Sequence, residues 1–160
     1  MVAAPDKREG DNMNRFEAEV VIDRPIADVW GYLNTPENEL VWQSSAVERS
    51  KVTEGPLEKG GRTRGVDTFL GRRLTTEWEM LELHDYERRE RTVSGPFEME
   101  IDWRLEPVGD STRMVMAMSA EAGAGGFFGR FADPVILRMA KRDWQGNLEK
   151  LKDVLEAEPA

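Results

Sequence analysis

The chain has 160 residues, of which 39% are hydrophobic and none is cysteine, and its formal net charge is −9. This is one domain's worth of chain, at about 100 to 200 residues per domain, and it can bury about 70% of its unfolded surface without metals or crosslinks. Disulfides and thiolate metal sites are excluded, and the acidic balance repels phosphate backbones and anionic headgroups, so nucleic acid is not an expected partner.

Residues 1–13 are polar, mix charges of both signs and show no period. They read as a disordered extension ahead of a single domain spanning 14–157; Met13 is an alternative start. No window approaches the roughly 20 apolar residues of a spanning helix, and no basic-then-apolar leader opens the chain. The expectation is a soluble, cytoplasmic protein without integral membrane association.

Phe16, Ala18, Val20 and Ile22 alternate with Glu17, Glu19 and Asp23 at the two-residue period of a half-buried strand. The pattern stops at Pro25, which suits a helix's first turn, and Ile26, Val29, Trp30 and Leu33 follow at helical spacing. Thr35-Pro36-Glu37 repeats the start signal with a hydroxyl cap, predicting a second short helix to about Trp42.

From Ser44 the period is two, punctuated by Gly55-Pro56, Gly60-Gly61, Gly71, Gly95-Pro96 and Gly109-Asp110, which predicts consecutive antiparallel strands. Phe97, Met99, Ile101, Trp103 and Leu105 form a dry face opposite Glu98, Glu100, Asp102 and Arg104. Leu74, Thr76, Trp78 and Met80 repeat the alternation, as do Met114, Met116, Met118 and Ala120. Arg88 to Val93 carries too much charge for a continuous dry face and reads as an edge or highly exposed strand.

Gly123 to Phe131 places four glycines around Phe127 and Phe128, a combination suited to a mobile gate, to a pinned loop or to transient membrane contact. The last element is a helix from about 133 or 134 to 155. Ile136, Leu137, Ala140, Trp144, Leu148, Leu151, Val154 and Leu155 line one side of it, so it should lie across the dry face of a curved sheet.

Catalytic signals are sparse. His84 falls at a strand end beside Asp85 and reads as part of a solvated turn. One histidine without cysteine gives no metal-ligand spacing, and no nucleophile elbow, phosphate loop or dinucleotide fingerprint is present. No cofactor, metal or catalytic residue is assigned. Arg64, Asp67, Thr68, Thr76, Tyr32 and Tyr86 are the polar groups available to a pocket, with the direction of Arg64 and Asp67 hanging on a register left open.

The order strand, two short helices, about six antiparallel strands and a long terminal helix resembles the helix-grip superfamily of START-related (SRPBCC) proteins. The closest likeness is to the polyketide cyclase/dehydrase and lipid-transport group. The likeness is carried by Asp23-Arg24-Pro25 with Val29-Trp30, Trp42, Gly55-Pro56-Leu57 with Gly60-Gly61, Phe69 to Arg73, Leu105-Glu106-Pro107 with Gly109, Ser111 to Arg113 and Leu148 to Glu156. It implies an α+β helix-grip fold, with a curved antiparallel sheet of about seven strands around the C-terminal helix. Between them it implies a cavity for a small hydrophobic or amphipathic molecule, either carried or converted by a cyclase, aromatase or dehydratase. Residues expected on that cavity are Val66 and Thr68; Thr76, Trp78 and Met80; Phe97, Met99, Ile101 and Trp103; Met114, Met116 and Met118; Phe127 and Phe128; and Ile136, Ala140 and Trp144. The methionines suit varied apolar shapes because the thioether chain is flexible. Asn147 lies within the helix's inner stripe and offers one amide, to a ligand, to water or to a neighbouring carbonyl. The oligomeric state is not legible.

Overall fold

The computed structural model describes residues 13–121 and 134–158. Strand β1 (Met13–Ile22) is followed by α1 (Ile26–Leu33), a 3-10 turn (Pro36–Asn38) and α2 (Glu39–Trp42). Then come β2 (Ala46–Lys51), β3 (Arg62–Phe69), β4 (Arg72–His84), β5 (Glu87–Ser94), β6 (Met99–Val108), β7 (Ser111–Glu121) and α3 (Pro134–Ala157). The seven strands form one antiparallel sheet in the order β1-β7-β6-β5-β4-β3-β2, with β1 and β2 at its edges. This is the expected helix-grip α+β architecture. No helix among the described residues is long and apolar enough to cross a membrane.

Local chemistry sets the turns. Leu70 and Gly71 both have positive φ, as do Asp85 and Tyr86, and two such residues twist a hairpin in the hand that strands prefer. At the start of α1 Pro25 is the capping residue itself, extended at ψ 145°, with Ile26 the first helical residue. The expected hydroxyl cap of the second helix does not form. Thr35 donates its hydroxyl back to the Gly31 carbonyl at 3.3 Å, and a 3-10 turn precedes the four residues of α2.

Strand β5 corrects the expectation of an edge. It lies between β4 and β6, and Arg88 and Glu90 on its inner side are buried. Charge on a strand signals exposure only while no partner for that charge waits inside, and here one does. Strand β6 begins at Met99, so Phe97 belongs to the preceding connection. The gate-like segment around Phe127 and Phe128, and nearly all of the N-terminal extension, lie outside the described residues.

The core is concentrated at one end. Ala18, Val20 and Ile22 of β1, Leu105 of β6, Met114 and Met116 of β7, and Val29 of α1 pack with Leu148, Leu151 and Leu155 of α3. Helix α3 also covers the open edge of β1, since Gln145 and Lys152 donate to the carbonyls of Glu19 and Val21 at 2.9 and 3.0 Å. Its C-terminal end is tied down further by Arg24, which donates to the Leu155 carbonyl at 3.1 Å, and by Glu156, which accepts from the Asp23 amide at 2.8 Å. The buried residues of α3 all lie from Asn147 onward, while its first three turns carry no fully buried side chain.

Candidate functional site

Where α3 lifts from full burial, a cavity of about 210 Å³ opens between it, α2 and the concave side of β3 to β6. One part of its wall is apolar. Phe69 and Phe97 meet edge to face at 5.6 Å, and Leu74, Trp78, Met99 and Ile101 continue the surface toward Met118. Trp103 of β6 and Trp144 of α3 also line it, in mutual T-shaped contact at 5.8 Å. Ala140, one turn before Trp144, contributes only a methyl group and leaves space.

Another part is a network of charge. Arg49 of β2 donates from Nε to Glu39 at 2.6 Å and from its terminal nitrogens to both Asp67 oxygens at 2.8 and 3.2 Å and to the Gln43 carbonyl at 3.0 Å. Burial works against its charge, but the hydrogen bonds and charges of Asp67 and Glu39 outweigh this and hold the guanidinium above its ordinary range. Arg88 of β5 donates to the Leu33 carbonyl at 2.9 Å and to Asn34 at 3.2 Å. It also sits 3.5 Å from Glu39 and 3.2 Å from Glu90, with its guanidinium 5.4 Å above the Trp103 ring. Burial raises the Glu90 carboxyl above the ordinary carboxylate value of 4.5; Arg88 pulls it down and nearby Glu39 pushes it up again. The cavity thus has an apolar part and a polar part that holds a buried carboxyl whose proton affinity is raised.

Gly65 makes this network possible. Its position on β3, facing inward beside Thr76 of β4, lets the Arg49 guanidinium lie against the strand, and a Cβ there would sit 2.9 Å from an Arg49 nitrogen. Because that nitrogen is held from several sides, Gly65→Ala should displace the guanidinium. The expected loss is about 1 to 3 kcal/mol, the range for charged hydrogen bonds. A urea titration giving Gly65→Ala the parent midpoint would count against this.

Of the residues expected on the cavity, Thr68, Thr76, Trp78, Phe97, Met99, Ile101, Trp103, Met118, Ala140 and Trp144 lie on it. Met114 and Met116 do not. Both are fully buried in the core between β1 and β6, where α3 is seated tightly. Val66 is paired with Thr75, one residue out of phase with the inward Gly65 and Asp67, so it lies off the cavity. Met80 is buried but away from the cavity, two residues past Trp78 where β4 runs on beyond the lining. Ile136 is half-buried and does not line the space. Among the polar candidates Asp67 points inward to Arg49, while Arg64 at the rim pairs with Glu77 at 3.2 Å. Tyr32 and Tyr86 lie elsewhere, Tyr86 against Trp30 at 5.8 Å, and His84 is exposed. Asn147 is buried and accepts from the Ser44 amide at 3.0 Å.

Sequence reasoning missed Glu39, Gln43, Arg49, Arg88 and Glu90. A signal was present in β5, where Arg88 and Glu90 stand two apart on one face of a strand flanked by regularly alternating neighbours. An interior strand has no wet inner face, so that pair had to be buried and mutually matched.

A family model described as polyketide cyclase / dehydrase and lipid transport matches residues 13–156, and the chain belongs to that family. Among solved structures, a protein from Thermus thermophilus matches with 19% identity and a TM-score of 0.78, covering 92% of this chain and 100% of that one. The Zhui aromatase/cyclase from Streptomyces sp. R1128 matches with 16% identity and a TM-score of 0.76, over 90% and 94% of the two chains. A START superfamily protein from Mycobacterium smegmatis matches with 13% identity and a TM-score of 0.74, over 89% and 97%. At these identities the likeness is one of fold. No protein of curated function matches the sequence significantly.

Proposed function

We propose that this member of the polyketide cyclase/dehydrase and lipid transport family binds a small hydrophobic or amphipathic molecule in the cavity between its sheet and α3. The observation that carries the reading is the mixed wall, in which aromatic and thioether side chains stand beside Glu39, Arg49, Arg88 and Glu90. A volume of 210 Å³ is larger than the ~150 Å³ of an apolar cavity that takes benzene, which suits one or two rings. Burying about 200 Å² of apolar ligand surface contributes about 5 kcal/mol before association costs.

Glu90 supports a second reading. A carrier has no need of a buried carboxyl with a raised proton affinity, whereas a cyclase- or dehydratase-type enzyme would use one as general acid or base. The Streptomyces neighbour of the same fold is an aromatase/cyclase.

One experiment separates these. A library of small apolar and polycyclic compounds is tested by thermal shift, and each hit is then incubated with the protein and recovered. A ligand present at a hundred times its Kd should add about 2.7 kcal/mol of stability, a rise of roughly 5 to 11 °C for a chain of this size. Unchanged recovery fits carriage. Conversion that falls about 10²- to 10⁴-fold in Glu90→Gln, with binding kept, fits catalysis. Silence across the library in folded protein would refute both.

A further inference from the structure

The polar part of the cavity is specific about what it leaves free. Every nitrogen of Arg49 is engaged by a carboxylate, an amide carbonyl or the backbone. The terminal nitrogens of Arg88 are engaged likewise, and its Nε is sealed from the cavity. Arg64, half-exposed at the rim, donates one terminal nitrogen to Glu77. The wall also carries the acidic side chains of Glu39, Asp67 and Asp143 beside Glu90. An incoming carboxylate would therefore find both inner guanidinium groups, Arg49 and Arg88, already engaged, with the carboxylates of Glu39 and Asp67 beside them.

Two buried carboxamides behave differently. The oxygen of Asn147 accepts the Ser44 amide at 3.0 Å, and the oxygen of Gln43 accepts Arg49 at 3.0 Å. Each partner is an obligate donor, so both side chains are fixed with their NH2 groups turned the other way. Among the described residues neither NH2 group meets an acceptor, and neither is sealed off as the indole nitrogens of Trp42 and Trp103 are. Both residues line the cavity and are 6% exposed. Because Gln43 and Ser44 are adjacent, the two groups are anchored to the same short stretch of wall. Buried amide donors on a cavity wall need an acceptor.

We propose that the cavity selects an uncharged one- or two-ring molecule carrying a carbonyl oxygen, received by the amide N–H groups of Asn147 and Gln43, and discriminates against carboxylates. This rests on the binding reading above and adds the chemistry of the ligand's polar end.

The test compares three bicyclic probes of similar size, the ketone 1-tetralone, the hydrocarbon tetralin and the acid 1-naphthoic acid, by quenching of tryptophan fluorescence and by calorimetry at pH 7.5. The ketone should bind at least threefold tighter than the hydrocarbon, and the acid more weakly than either. Asn147→Asp keeps the acceptor for the Ser44 amide but replaces the free donor by an oxygen. It should weaken the ketone about three- to tenfold, the worth of one neutral hydrogen bond, and leave the hydrocarbon unchanged; Gln43→Glu should do the same. Equal binding of all three probes, preference for the acid, or an Asn147→Asp variant that binds the ketone as the parent does would overturn the inference while leaving the binding reading intact. No binding of any probe would remove both.

Discussion

Replacing Arg88 by methionine should destabilise the protein by about 3 to 5 kcal/mol at neutral pH, the usual cost of removing one partner from a buried ion pair. Arg88 is buried on an interior strand between Glu39 and Glu90. Glu39 keeps its 2.6 Å bond to Arg49 in the variant, so Glu90 is the group left without its cation. The loss should depend on pH in a defined direction. Burial raises the folded-state pKa of Glu90 above the ordinary 4.5, so its favourable contribution is complete below about that value and is lost as pH rises through the raised one. Without Arg88, which pulls the pKa down, the window extends further upward. The deficit of Arg88→Met should therefore be smaller at pH 5 than at pH 8, and Arg88→Met with Glu90→Leu should recover most of it. Chemical denaturation of the two variants at both pH values measures this. An Arg88→Met variant as stable as the parent at pH 8 would mean that the pair contributes nothing.

Trp42→Ala should cost a similar amount, about 3 to 5 kcal/mol, as for other tryptophan truncations in cores. Trp42 is 1% exposed and forms T-shaped contacts with Trp103 at 6.0 Å and Trp144 at 6.3 Å. Three indoles from α2, β6 and α3 thus hold one another where the helix leaves the sheet, and two of them form the cavity wall. Removing Trp42 deletes the support behind that wall. The melting temperature should fall by roughly 6 to 20 °C, and the near-ultraviolet circular dichroism of the coupled indoles should collapse. Trp42→Phe should cost distinctly less, since it keeps an aromatic ring and removes an indole N–H that has no acceptor among the described residues. Equal melting of the alanine and phenylalanine variants would show that the ring contacts do not matter.

These two sites also mark where the sequence could be read and where it could not. Alternation in 16–22, 99–105 and 114–120 and the apolar stripe of α3 were legible because each records a face turned to one common interior. A period needs only local residues to be visible. The dry faces could not say which of their members pack and which border a space. Met114, Met116 and Met118 are equivalent in sequence, yet only Met118 lies on the cavity. The difference is the seating of α3 on the sheet, which draws its buried residues from Asn147 onward.

The amino-acid sequence by itself determined the element order, the antiparallel sheet, the covering helix and the family to which they belong, since turn residues and hydrophobic periods act over a few positions. Tertiary structure alone decided the polar half of the site. Glu39, Arg49, Asp67, Arg88 and Glu90 come from four separate elements; in the sequence Asp67 is only a candidate whose direction hangs on register, and the others are matched only when folding brings opposite charges within hydrogen-bond reach. Burial of a charge is tolerated only when a partner is already in place, and that condition belongs to the assembled fold.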